Sequence, residues 1–573
     1  MLKDFFKKYG WWYLPGMLFL FVGARLKTGI PNILGNAIDM LSDLTATDAA
    51  DLYAIALKLF LTAVGVFCSV FIWRMCVIGN GRRLERHLRT AFFAKLQSLP
   101  EEFFERRRSG DLLSYVISDT NAVRMAFGSV LALGINGILT ALFSILSMVD
   151  EVDSRLAFFA LIPVPFAVAC LILLGQLVRR RFTRVQQLFS GISGFVNESI
   201  MGIKVIKTFA REEERHDAFN AISDDMRDAN VKLVNASSLI SPTVSIIFGC
   251  SYLISIIYGS SLVLAGSITV GDLAAFLNYL ALVQTPVLQL GKIINNVQRG
   301  VASYKRIKTI MDEPSIPQKE LEFTEAVSGD IEVKNLTFRY ADAEEDALSD
   351  VSFTLKQGQK LGIAGTTGCG KTTLLSLLLK FYQPPRGAIF IGGRDICDIP
   401  AANILRSTGY VMQDGFLFSD TVSGNISFYS GSSKEQVERA AELADVAADI
   451  LHFSDGYETA VGERGTRLSG GQKQRISLAR ALVRDPEMLF LDDTLSAVDN
   501  ITEEKIIANL DGVLRDKTAI IISHRLSAIK DCDLILYMDN GVVTERGTHD
   551  ELMAKGGSYA AAYNEQAEVD HAN

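Results

Sequence analysis

The run Gly365-Thr366-Thr367-Gly368-Cys369-Gly370-Lys371-Thr372-Thr373 is the densest piece of potential chemistry in the sequence. Glycines at this spacing let the backbone curl until successive N–H groups aim at one anion. Lys371 then adds a positive charge at the far oxygens, and Thr372 offers a hydroxyl to an accompanying divalent cation. That is phosphate-binding chemistry. A second position, Asp492-Asp493, closes the apolar run Met488-Leu489-Phe490-Leu491. A buried strand ending in an acid delivers a carboxylate to such a cation. A third device, Arg467-Leu468-Ser469-Gly470-Gly471-Gln472, opens the helical run Lys473–Arg480. Its hydroxyl and backbone N–H groups at a helix start suit phosphate again. Two such devices for one polyphosphate make sense if two copies of this region face each other, each completing the other's loop.

These residues need elements to hold them. The glycine loop lies between the apolar runs Lys360–Gly365 and Leu374–Leu379, which read as strand and helix. Asp330–Asn335 and Val351–Leu355 read as further short strands, so the chain from Asp330 onward has an α/β pattern. The first half is different. Six apolar segments, near 11–38, 54–79, 127–149, 156–178, 240–265 and 272–297, are long enough to cross a bilayer. Met1–Gly10 alternates Lys3, Lys7 and Lys8 with Leu2, Phe5 and Phe6, which predicts a short amphipathic helix on a membrane surface rather than a signal peptide.

Charge orients the segments. Arg82, Arg83, Arg86, Arg89 and Arg106–Arg108 follow the second, and Arg179–Arg181 with Arg184 follow the fourth. The alternate loops carry Asp43, Asp48, Asp51, Asp150, Glu151 and Asp153. The positive-inside rule therefore puts both termini, and the α/β region, in the cytoplasm. The connections 80–126 and 179–239 are too long for turns and read as helices that continue beyond the membrane. The expected organisation is a membrane domain over 1–312, a linker over 313–329 with Pro314 and Pro317, and a soluble domain over 330–573. Net charge −8 gives no reason to expect nucleic acid as a partner. The seven cysteines form no CxxC pair, which argues against a disulfide framework or a zinc site.

Taken together, the glycine loop, Leu468–Gln472 and the acidic strand resemble an ABC half-transporter of the bacterial exporter type, over essentially the whole chain. Further motifs fall in the family's order: Tyr340 as the adenine-stacking aromatic, Gln413, the exporter-type loop Val461-Gly462-Glu463-Arg464-Gly465, the dimer-contact loop Ser496-Ala497-Val498-Asp499, and the switch His524. Phe104–Leu112 and Glu198–Val205 resemble the regions around the two coupling helices. The resemblance implies six long transmembrane helices fused to a RecA-like P-loop nucleotide-binding domain in the cytoplasmic membrane. It implies ATP and Mg2+ as cofactors, with Thr372, Gln413 and Asp492 around the metal, and a dimer that sandwiches two ATP molecules. Asp493, His524 and Gln413 take the catalytic positions.

One departure carries information. The family usually has glutamate after Asp492, where this chain has Asp493. The shorter side chain withdraws the carboxylate by about 1 Å, a displacement that can cost on the order of a hundredfold in rate. Since Leu468–Gln472 is intact, a heterodimer is expected, with a homodimer as the alternative: this chain completes its partner's site while its own turns over slowly. Arg25 and Arg74, in or near the first two segments, are candidate pathway residues, whereas Lys58 is expected to snorkel. No acid lies within those two segments, which favours an amphipathic substrate with an anionic or polar head. Without a peptidase-like extension, a self-processing peptide exporter is disfavoured. The readings that compete with hydrophobic or amphipathic export are an exporter-fold importer of siderophore type and a nucleotide-gated channel or regulatory subunit.

Overall fold

The computed structural model describes residues 2–42, 49–462, 465, 468–494, 498–514 and 517–572. The sequence assignments at Asp43, Asp48, Glu463, Arg464, Arg467, Ser496 and Ala497 lie outside the described residues. The chain forms two compact units. One comprises Met1–Gln97 and Arg108–Glu313, the other Ser98–Arg107 and Pro314–Asn573.

Among the described residues of the first unit, six helical spans are long and apolar enough to cross a membrane: Leu2–Ser42, Ala50–Gln97, Ser109–Val152, Ser154–Met201, Glu212–Leu264 and Val270–Met311. A helix is forced here because a backbone in hydrocarbon must satisfy its own N–H and C=O groups. At 41 to 53 residues, every span outlasts the roughly 20 residues a bilayer needs, so the polar connections are continuations of the same helices. Only 6–33% of each span's most apolar stretch is buried within the chain. Phe60, Phe67, Phe158, Phe166, Leu173 and Ile257 stand open, and a surface of that kind needs lipid or a second chain against it.

The N-terminal segment forms the expected short helix and packs one of its apolar residues on the second span. Leu2–Tyr9 is a helix, but a tight turn at Gly10–Trp12 joins it directly to the helix Tyr13–Ser42. Phe5 is completely buried, its ring 5.3 Å from that of Tyr9 and 5.9 Å from that of His87 in the second span. Phe5 of this segment is thus packed against protein, while Phe6 stays exposed.

The first and sixth spans are bound most closely at one end. A Cβ on Gly271 would lie 2.1 Å from the Gly35 carbonyl oxygen, so two backbones meet there with no room for a side chain. Asp39 seals the crossing by accepting hydrogen bonds from Thr269 Oγ1 (2.6 Å) and the Gly271 N–H (2.7 Å). Thr269 and Asp272 form a reciprocal capping box at the same helix start.

The second unit is built on two sheets. The smaller has the order β2-β1-β4-β5, from β1 (Ile331–Phe338), β2 (Leu348–Leu355), β4 (Ile389–Ile391) and β5 (Arg394–Asp395). The larger has the order β10-β9-β3-β8-β7-β6. It uses β3 (Lys360–Gly365), β6 (Thr408–Val411), β7 (Met488–Asp492), β8 (Thr518–Ile522), β9 (Leu534–Asp539) and β10 (Val542–Gly547). Strands β9, β3, β8, β7 and β6 are parallel, and only the edge strand β10 is antiparallel. Every residue of β7 is buried, as expected for a parallel strand covered on both faces. One apolar core packs the P-loop helix Lys371–Leu378 between the sheets, and a second gathers the helices between Val422 and Leu514. Ser98–Arg107 belongs to this unit: the Ile316 N–H donates to the Ser98 carbonyl at 2.8 Å, and Arg106 pairs with Asp342 at 3.0 Å.

Gly271→Ala should destabilise the folded protein by about 1–3 kcal/mol through overpacking at the backbone crossing. Gly29→Ala, where an added Cβ meets nothing within 4 Å, should be neutral. Thermal unfolding of the detergent-solubilised protein compares the two.

Candidate functional site

Parallel order decides which loops meet. In an open parallel sheet, ligands bind beyond the carboxyl ends of the strands. Here those ends lie in the row β3, β8, β7, β6. They present the glycine loop after Gly365, Ser523-His524 after Ile522, Asp492-Asp493, and the segment after Val411 that contains Gln413. Residues more than a hundred positions apart become neighbours through strand pairing alone.

The glycine loop has the conformation its spacing predicts. Gly365 has φ +145° and Gly370 +96°; a Cβ on the first would meet the Met538 carbonyl oxygen at 2.0 Å, and on the second the Ala347 carbonyl oxygen at 2.5 Å. Lys371 is buried, and its ammonium donates to the carbonyls of Gly365 (3.0 Å) and Thr366 (2.9 Å), with the Cys369 sulfur at 3.7 Å. Thr366 Oγ1 donates to Asp539 at 2.9 Å, and Thr367 and Gly368 are open to solvent. Thr372 Oγ1 donates to Asp492 Oδ1 at 3.3 Å. Burial raises the Asp492 carboxyl above the usual carboxylate range; the bond from Thr372 opposes this, and the charge of Asp493 adds to it. A carboxylate in that position is stabilised by a cation. Thr372 and Asp492 are therefore a fitting pair for a divalent ion beside the phosphates.

Tyr340 is half-buried, its hydroxyl 2.9 Å from Thr373 Oγ1 and its ring edge-on to Phe338 (5.2 Å) and Tyr382 (5.0 Å). The site thus has an aromatic wall attached to the P-loop helix. Burial and then the carboxylate of Glu105, in the docked Ser98–Arg107 segment, hold the Tyr382 phenol above its ordinary range.

Asp493 is buried and has φ +47°, in the left-handed region that Asp tolerates better than most residues. Its backbone N–H donates to Ile522 O at 2.9 Å, and its carboxylate accepts from the His524 backbone N–H at 3.3 Å. The His524 and Gln413 side chains are exposed, and the Gln413 carbonyl accepts from Gln474 at 3.4 Å.

The serine–glycine device lies elsewhere in the unit. Ser469 caps the helix Gly470–Leu482: its hydroxyl accepts from the Gln472 N–H at 3.2 Å, and the Gln472 side chain accepts from the Ser469 N–H at 3.1 Å. Leu468 packs on the second core, while Gly470 is exposed and Gly471 partly so. No hydrogen bond among the described residues joins Ser469 to the glycine loop. Asp499 caps the helix Asn500–Val513 through the Thr502 N–H at 3.0 Å, and the Arg525 guanidinium donates to Val498 O at 3.0 Å and pairs with Glu503.

In the first unit, Arg25 and Arg74 are both exposed, and Arg74 lies over the buried ring of Trp73 at 5.7 Å. Sequence reasoning placed Glu151 in an outer loop, yet its carboxylate meets the first and sixth spans. It accepts from Asn32 Nδ2 at 2.8 Å and from the Tyr279 hydroxyl at 2.6 Å. An acid therefore does face the first span. Nothing in the local sequence signals it, because its partners lie 119 and 128 residues away.

Comparison with known proteins agrees with this architecture. Residues 13–287 match the model of the ABC transporter transmembrane region, and residues 348–496 match the ABC transporter model. The chain is 38% identical over 566 residues to the probable multidrug resistance ABC transporter ATP-binding/permease protein YheI of Bacillus subtilis, covering 98% of this chain and 96% of that one. It is 32% identical over 510 residues to the ATP-dependent lipid A-core flippase of Pseudomonas aeruginosa, covering 89% and 84%. A solved bacterial Atm1-family ABC exporter with ATP bound superposes with a TM-score of 0.77 at 27% identity, covering 97% of this chain and 98% of that one. The chain therefore belongs to the ABC transporter family, as a multi-pass, exporter-type half-transporter that binds ATP and couples its hydrolysis to transport.

Proposed function

We propose that this chain is one half of a heterodimer that exports hydrophobic or amphipathic small molecules across the cytoplasmic membrane, and that its own ATP site is the slow one. The observation that carries the asymmetry is the contrast between Asp493 and Ser469. Asp493 has the shorter acid, and its carboxylate is engaged by the His524 backbone N–H. Ser469 and Gln472 form a complete capping box that leaves Gly470 and Gly471 to present their N–H groups. A chain of this design supplies a good signature to a partner whose own site carries the longer acid. In this chain's own site, the P-loop, Thr372, Asp492 and Gln413 would hold the nucleotide and Mg2+, and Tyr340 would stack on the base. When bound, Mg2+ would offset the phosphate charge, and Lys371 would exchange its carbonyl bonds for bonds to phosphate oxygens. Arginines after the second and fourth spans support a cytoplasmic position for the nucleotide-binding unit. The relatives named for multidrug resistance and for lipid A-core flipping support an apolar or amphipathic substrate.

Three outcomes follow. Lys371→Ala should lower ATP affinity at this chain's site by at least tenfold, because the phosphates lose their counter-charge, while Tyr340→Ala should cost less. Fluorescent-nucleotide titration of the full chain measures both. In the assembled heterodimer, Ser469→Ala should remove most ATPase turnover and Asp493→Asn little of it. A brisk homodimer silenced by Asp493→Asn would instead identify Asp493 as a working base. For the pathway, Arg25→Ala or Arg74→Ala should reduce efflux of anionic amphiphiles more than of neutral or cationic ones. Uniform loss in vesicle efflux assays would assign these arginines a structural role.

A further inference from the structure

The His524 ring is exposed and makes no hydrogen bond or ion pair among the described residues. A side chain of that kind takes its position from its backbone, so the bonds of the segment Ser523–Leu526 decide where the ring stands. Its N–H groups are all accounted for. The Ser523 N–H donates to the Ile363 carbonyl at 3.2 Å, and the His524 N–H to the Asp493 carboxylate at 3.3 Å. The Arg525 N–H donates to Ser523 Oγ at 3.0 Å, while its guanidinium is drawn away to the Val498 carbonyl and Glu503. The fourth N–H and the His524 carbonyl go to one distant side chain. The Gln566 amide accepts from the Leu526 N–H at 2.9 Å and donates to the His524 carbonyl at 2.8 Å.

The pairing is specific in its chemistry. Arg525 is extended (φ −91°, ψ 113°), which turns the carbonyl before it and the N–H after it to the same side. The Gln566 amide meets them as a neighbouring strand would. One end must donate and the other accept; a planar amide does both, whereas a carboxylate only accepts and an ammonium only donates. Gln566 stands on the helix Ser558–Ala572, 42 residues beyond His524. Tyr559, two helical turns earlier and so on the same face, is completely buried, its hydroxyl 2.9 Å from His549 Nδ1. It shares one apolar core with Ala364, Leu526 and Ile529. Ala364 immediately precedes Gly365 in β3, so the helix that carries Gln566 is packed against the strand that delivers the glycine loop.

We propose that Gln566 is a positioning residue for ATP hydrolysis: its amide fixes the His524–Leu526 backbone and thereby the place of the His524 ring in the site. The inference rests on the reading of His524 as a group of this chain's ATP site. The two peptide groups of His524 are held from opposite sides, the N–H by Asp493 and the carbonyl by Gln566. Without the amide, the N–H of the buried Leu526 loses its partner, and the segment must shift to find another. The exposed ring moves with it. Lys371 and the glycine loop make none of these bonds, so phosphate binding is spared while the chemical step slows.

The test uses the full-length chain purified alone, with single-turnover ATP hydrolysis at excess protein as the rate and fluorescent-nucleotide titration as the affinity. Gln566→Met, of similar size but without the amide, should slow hydrolysis about tenfold and leave ATP affinity within about twofold of the parent chain. Gln566→Glu still accepts from Leu526 but cannot donate to His524, and it should be slow as well. Because it keeps one bond, it serves in place of Gln566→Met if that variant fails to fold. In the His524→Ala background, Gln566→Met should add less than about a twofold loss, since its effect passes through the ring. A merely structural role would slow both backgrounds alike. Either Gln566 variant hydrolysing at the parent rate beside a slow His524→Ala, or a full further loss in the double variant, overturns the proposal alone. His524→Ala at the parent rate overturns the reading of His524 and the proposal with it.

Discussion

A buried ammonium held by neutral groups is the constraint on which the nucleotide-binding unit depends. Lys371 is 6% exposed and donates to Gly365 and Thr366, with no ion pair among the described residues. Isolating a charge from water costs several kcal/mol unless it is paired, so the loop is built to receive an anion. The arrangement survives because the surrounding geometry is over-determined. Gly365 cannot carry a side chain against Met538, Gly370 cannot carry one against Ala347, and the P-loop helix is fixed in the core between two sheets. Parallel pairing of β3 with β8, and of β8 with β7, then brings His524 and Asp492 to the same edge.

The membrane unit solves a different problem. It has little buried volume per span, and it relies on backbone contact and isolated polar junctions where hydrophobic burial offers no preference for protein over lipid. Gly35 against Gly271, Asp39 on Thr269, and Asp119 with Ser303 (2.8 Å) and Arg306 (3.0 Å) are such junctions. Each ties the sixth span to another. The two units have in common that a buried polar group is given a designated partner: the Lys371 ammonium has the carbonyls of Gly365 and Thr366, and the Tyr279 hydroxyl has the carboxylate of Glu151.

What could be read from the sequence divides along the same line. Gly365–Thr373, Met488–Asp492 and Leu468–Gln472 are contiguous, and each carries its structural context on both sides; strand, loop and helix follow from a dozen residues. The six spans declare themselves by length and hydropathy. Glu151 does not. It sits among Asp150 and Asp153 and reads as a solvated loop acid until folding sets it beside Tyr279, 128 residues later. The N-terminal helix is legible in part: Phe5 and Phe6 mark an apolar face, but only the fold shows that Phe5 packs on Tyr9 and His87. Likewise, nothing local assigns Ser98–Arg107 to the second unit, because Ile316 and Asp342 are its anchors.

The central claim is that a short acid at position 493 limits this chain's own site. Asp493→Glu in the chain purified alone tests it most directly, with steady-state ATPase as the readout. If the missing methylene is what withholds the carboxylate from the attacking water, turnover should rise at least tenfold with nucleotide affinity unchanged. Turnover that stays flat in a folded, ATP-binding Asp493→Glu protein would contradict the account.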